Sequence, residues 1–132
     1  MPAIFARRAL QVAVAAGALV PVLAGLMGML LGPGMIDHAS LSVSVDSHYR
    51  YLSGLLMGIG LGFWTTIPHI ERKTIRFRLL AAIVFLGGLG RLYALLAVGM
   101  PDRTMLFGLA MELGATPLLA LWQSAVARQA MR

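Results

Sequence analysis

LLAAIVFLGGLGRLYALLAV, residues 79–98, decides the fold. Crossing the hydrocarbon of a bilayer takes about 20 mainly apolar residues, and this stretch meets that length with a single charge, Arg91. The pattern repeats on both sides, as Ala9–Leu31, Tyr51–Ile67 and Met105–Ala127 are apolar runs of comparable length. Of the 132 residues 59% are apolar and only 12% are charged, about half the charged share of a soluble domain. A soluble fold of this size leaves much of its surface in water and has nowhere to hide so much apolar area. Ordinary globular enzymes, disordered chains and coiled coils are excluded. The expected fold is all-α integral membrane, with residues 1–132 forming one domain of four transmembrane helices.

The charges choose the orientation. Arg7 and Arg8 precede the first span, Arg72, Lys73, Arg76 and Arg78 separate the second from the third, and Arg128 and Arg132 follow the fourth. All fall on one side, which the positive-inside rule makes the cytoplasm. Arg50 and Arg103 lie on the other side, together with Asp37, Asp46 and Asp102. Both termini are therefore expected to be cytoplasmic. The net charge of +6 is explained by topology and calls for no nucleic acid, while anionic lipid is a general partner for such basic helix ends. The first apolar run exceeds the core of a signal peptide, about 7–15 residues, so it is read as a retained helix. The chain has no cysteine, which excludes thiol exchange and iron–sulfur chemistry.

Punctuation marks the helix ends. Gly32-Pro33-Gly34 stops the first helix. In the loop that follows, Leu41-Ser42-Val43-Ser44-Val45 alternates apolar and polar residues and predicts a short extended piece. Asp46 or Ser47 then caps the second span. Pro68 ends that span, and Gly99-Met100-Pro101-Asp102 makes a tight turn before the fourth. Such short connections make spans two, three and four antiparallel neighbours. Pro21 and Pro117 sit inside spans one and four, where each removes a backbone donor and favours a kink. Gly54, Gly58 and Gly62 recur on one face of span two. Gly25, Gly28 and Gly32 cluster on span one, and span three has Gly87, Gly88 and Gly90. Small residues let membrane helices approach closely, so these positions are expected to pack helices within the chain, or between copies in a homo-oligomer. Trp64 and Trp122 suit interfacial anchoring, and the nine methionines suit packing.

Two charges stand deep in apolar helix, Arg91 and Glu112. A charge at mid-membrane costs roughly 2.5–3.5 kcal/mol even on insertion scales, and such residues seldom face lipid. Arg91 precedes the end of its span by as many residues as Glu112 follows the start of its own. At about 1.5 Å per residue both lie roughly 10 Å below the outer boundary. Gly87 and Gly108 stand one turn before Arg91 and Glu112 and give clearance, and Thr116 stands one turn beyond Glu112, placed to donate to it. An Arg91–Glu112 ion pair is the expected result. Arg50, with Tyr49 and Tyr93, would extend this into a pocket of net positive charge for an anionic headgroup or small acid; the simpler reading has Arg50 reaching to water or phosphate. His38, Asp46 and His48 lack compact metal-ligand spacing, and no histidine lies at a depth to hold haem. No metal or cofactor is expected.

These features have an order. A basic residue opens the second helix above its glycines in Arg50-Tyr51-Leu52-Ser53-Gly54. A Gly-Arg pair, Gly90-Arg91, lies in the third helix. The turn Gly99-Met100-Pro101 follows, and the lone Glu112 stands in the fourth helix. So arranged, the chain resembles, over about residues 9–127, the bacterial four-helix membrane proteins catalogued as domain-of-unknown-function family 4345. The resemblance implies a fold, a topology and the bacterial inner membrane, and carries no activity. Small multidrug exporters are less similar, because their buried glutamate lies in the first helix.

The expected function is non-enzymatic: an accessory subunit of another membrane protein, or a binder of a lipid or small amphiphile near Arg50, Arg91 and Glu112. Nothing supplies a nucleophile with a base or a pair of catalytic carboxylates. The alternative is a small oligomeric proton-coupled transporter using Glu112.

Overall fold

Arg7 and Arg8 do not delay the first helix. In the computed structural model, which describes residues 2–35 and 41–132, α1 runs Ala3–Leu31 and starts six residues before its apolar run, since alanine and arginine are both strong helix formers. A 3₁₀ turn follows over Gly32–Met35. Then come α2 (Val43–Trp64), a 3₁₀ turn at Ile70–Arg72, α3 (Thr74–Ala97) and α4 (Arg103–Ala130 in its whole apolar extent). A π turn at Met111–Ala115 interrupts α4. Among the described residues every element is helical.

Three helical stretches are long and apolar enough to cross a membrane: Ala3–Gly34, Thr74–Ala97 and Arg103–Ala130. α2 has the length, but Ser44, Asp46, Ser47, His48 and Arg50 make its first two turns polar. Leu86, Leu96, Leu118 and Leu121 are 66–78% exposed. So much bare leucine on spanning-length helices fits lipid as the solvent.

The extended piece expected at 41–45 is a correction. Val43–Val45 is the first turn of α2, because the Ser42 hydroxyl accepts from the Val45 amide at 3.2 Å. That N-cap satisfies a donor the helix would leave unpaired, and it starts α2 well ahead of Asp46 and Ser47.

The described chain forms two compact units, Val14–Thr65, and Met1–Ala13 with Thr66–Arg132. In the first, the latter part of α1 packs antiparallel to α2. A Cβ placed on Gly25 would lie 2.5 Å from the Met57 amide nitrogen and the Ser53 carbonyl oxygen, and one on Gly60 would lie 2.6 Å from Val22 Cγ2. Trp64 Nε1 donates to the Ala15 carbonyl at 3.2 Å. Of the glycine stripe expected on α2, Gly54 touches α1 and Gly58 does not. Gly58 meets nothing within 4 Å, and Gly54 meets only the Met29 side chain, at 3.4 Å. The Gly62 carbonyl accepts from the Thr65 hydroxyl at 2.6 Å, a local helix-end contact. The face that closes on α1 is Ser53, Met57 and Gly60.

In the second unit, Leu10, Ile70 and Phe77 are completely buried and Ala81 and Val126 nearly so. Buried Gln123 ties this core together. Its amide nitrogen donates to the Ile70 carbonyl and the Thr74 hydroxyl, each at 2.9 Å. Gln11 Nε2 likewise donates to the Ile67 carbonyl at 2.8 Å. The expected basic loop is thus a folded plug, and α3 begins at Thr74 rather than Leu79. Gln123→Leu removes the bonds to the Ile70 carbonyl and the Thr74 hydroxyl. The Ile70 carbonyl keeps the Lys73 amide at 3.3 Å, so the cost is that of lost hydrogen bonds, about 0.5–1.5 kcal/mol each. A loss of about 1–2 kcal/mol is expected in detergent unfolding followed by circular dichroism; an unchanged midpoint would mean that the plug holds without these bonds.

Candidate functional site

The turn between α3 and α4 is built tightly. Gly99 takes a φ of +139°, and the Asp102 side chain caps α4 by accepting from the Met105 amide at 3.2 Å. Arg91 on α3 thereby comes opposite Glu112 on α4. Arg91 Nε lies 2.9 Å from both carboxylate oxygens, and Nη1 donates to the Met105 sulfur at 2.7 Å. The Glu112 side chain is 14% exposed and that of Arg91 35%.

The π turn accounts for the placement of Glu112. Pro117 has no amide hydrogen, so the regular ladder cannot continue through it. Instead the Thr116 amide reaches back five residues to the Met111 carbonyl, and the Thr116 hydroxyl donates to the same oxygen at 2.9 Å. The wide turn brings Glu112 and Leu113 onto α3 at Gly88, where an added Cβ would lie 2.9 Å from Glu112 Cβ. Such single π turns inside α-helices recur at functional sites.

The other candidate residues distribute as follows. Gly108 faces the pair, its would-be Cβ 3.7 Å from Arg91 Nε. Of the three glycines of α3, Gly88 makes the contact, while Gly87 and Gly90 meet nothing within 4 Å. Thr116 bonds to the Met111 carbonyl rather than to Glu112, a correction, because the π turn presents that carbonyl to the hydroxyl. Tyr93 is 74% exposed, on a different side of α3 from Arg91, two residues away.

Arg50 and Tyr49 belong to the Val14–Thr65 unit. There Arg50 Nε donates to Asp46 at 2.7 Å, and Nη1 donates to the Met29 and Leu30 carbonyls at 2.8 and 3.1 Å. These carbonyls lie in the last turn of α1 and lack helical partners, so Arg50 caps α1 and opposes its negative end. Gly32 allows this, taking a φ of +71° where a Cβ would lie 2.6 Å from Arg50 Nη2. The Tyr49 ring borders Gly28, with Cε1 3.3 Å from a Cβ there. Asp46 is committed to Arg50, and Asp37 and His38 lie outside the described residues; among the described residues no three His, Cys, Asp or Glu side chains gather to hold a metal.

Sequence reasoning missed a second polar cluster. Arg7 Nε lies 3.1 Å from Glu71 Oε2, and Arg78 Nη2 donates to the Ser124 hydroxyl at 3.0 Å. The signals were present: Glu71 is the one acid amid the basic ends, and Gln11 and Gln123 interrupt apolar runs near that same end.

Long apolar helices around one recessed arginine–glutamate pair define a small helical membrane protein with its polar site inside the spanning segments. The chain belongs to the family described as domain of unknown function (DUF4345), which matches residues 9–123. No curated protein and no solved structure matches it.

Proposed function

We propose that this is a non-enzymatic four-span protein of the bacterial inner membrane, with both termini cytoplasmic, that binds the polar end of a lipid or small amphiphile at Arg91. One observation carries this reading. Glu112 is sheltered and turned fully to Arg91, whereas the arginine keeps one side of its fork unengaged and a third of its side chain exposed. A purely structural pair would be expected to close on itself, because an unused donor at membrane depth is costly.

The charge distribution supports the orientation, since the basic residues gather at the ends of α1, α3 and α4 that share one side in a four-span topology. α2 completes that topology if its polar first turns, capped at Ser42 and carrying Asp46 and Arg50, lie at the outer interface. The transporter reading has weaker support. Its coupling carboxylate would have to be open to a path, and both Glu112 oxygens lie 2.9 Å from Arg91 Nε.

The test uses the full chain extracted with its native lipid in polymer nanodiscs. Mass spectrometry of the extracted small molecules should show one amphiphile class enriched about tenfold over the bulk membrane, as a preference of about 1.4 kcal/mol produces. Arg91→Met/Glu112→Leu should lose the enrichment. A lipid content equal to the bulk membrane would refute the reading.

A further inference from the structure

The site around Arg91 has a net charge of zero, and that restricts what it accepts. Expecting an anionic ligand required Arg50 as surplus positive charge. Arg50 is instead committed to Asp46 and to the end of α1. Glu112 already balances Arg91, so an added anion would bring an uncompensated charge into a medium where such charges are strongly disfavoured.

Hydrogen-bonding capacity remains. Arginine carries five N–H donors. Nε serves Glu112 and Nη1 serves Met105 Sδ, a weak acceptor. Among the described residues Nη2 has no partner. Gly87, one turn before Arg91 on the same stripe of α3, is exposed and meets nothing within 4 Å, while Gly108 closes the opposite side, its would-be Cβ in ordinary contact with the guanidinium at 3.7 Å.

Building on the proposed binding role, we infer that the ligand is a neutral, apolar molecule presenting a carbonyl oxygen, such as a ketone, ester or quinone, and not an anionic headgroup. The carbonyl accepts from Arg91 Nη2, the apolar body lies along the bare backbone at Gly87, and the site stays neutral throughout. A carbonyl also outbids a thioether as an acceptor, so the Nη1 bond to Met105 can be exchanged for a bond to ligand.

Two photoreactive probes decide this. One is a long-chain methyl ketone with a diazirine beside the carbonyl. The other is the sulfonate of equal chain length with the same diazirine, which is charged at every working pH. The full chain is reconstituted in phosphatidylcholine vesicles, irradiated with each probe, and mapped by peptide mass spectrometry. The ketone should label the segment around Gly87–Arg91 and Gly108 about tenfold more than the sulfonate, the scale of one hydrogen bond to a charged donor. That labelling should fall to background in Arg91→Met/Glu112→Leu, with folding checked by thermal unfolding. Sulfonate labelling equal to or above that of the ketone overturns the neutral-ligand inference and leaves the binding role standing. Labelling by neither probe overturns both. Ketone labelling that persists in the folded double variant overturns Arg91 as its anchor.

Discussion

Arg91→Ala is expected to cost about 3 kcal/mol in stability, and Arg91→Met/Glu112→Leu close to nothing. The arginine variant leaves a carboxylate that is 14% exposed with no other hydrogen-bond or ion-pair partner among the described residues. Breaking a buried pair from one side costs about 3–5 kcal/mol, while replacing both partners by apolar groups of similar volume is often neutral. The lower end applies because Arg91 is itself 35% exposed. Glu112→Ala should cost less, since the long arginine can turn its charge toward the interface. Unfolding in mixed micelles, followed by tryptophan fluorescence, measures all three. If both alanine variants match the wild type, the pair does not hold the helices, and its geometry serves something else.

The level of this pair was legible because depth is a simple count. Two residues equally far from one short turn meet if their helices are antiparallel, and Gly99–Asp102 forces that. The detail of the meeting was not legible. Pro117 announced a disturbed ladder, but a kink and a π turn satisfy the same missing donor. Only the contact at Gly88, with Glu112 Cβ and Leu113 against it, selects the wide turn. Thr116 followed the carbonyl that this turn freed.

Hydropathy located the helices better than it located their ends. It reports where lipid ends, whereas a helix ends where its backbone runs out of partners. Hence α1 extends back to Ala3 and α3 to Thr74, through charged residues that favour helix but not hydrocarbon. At Ser42 the alternating pattern imitated a strand, and a single cap outweighed it. Arg50 was visible as a charge at a helix mouth. Two of its acceptors, carbonyls some 20 residues away, carry no side-chain signature at all, unlike Asp46 four residues before it.

The glycine faces give the second large expected effect. Gly25→Ala should cost about 2–3 kcal/mol, and Gly58→Ala should be neutral or stabilising by up to about 1 kcal/mol. At Gly25 the new methyl meets the Ser53 oxygen and Met57 nitrogen at 2.5 Å. Both are backbone atoms of a regular helix and cannot swing aside, so α1 and α2 must separate along this stretch. Separation would also pull Gly60 from Val22 and weaken the bond from Trp64 to the Ala15 carbonyl. At Gly58 the methyl meets nothing within 4 Å, and only the better helix propensity of alanine remains. Paired measurements in one detergent, with Trp64 reporting locally, separate the two cases. An equal gain at both positions would mean that glycine acts through helix propensity alone. A penalty larger at Gly58 than at Gly25 would point to a contact made by a second copy of the chain, since within one copy that face is open.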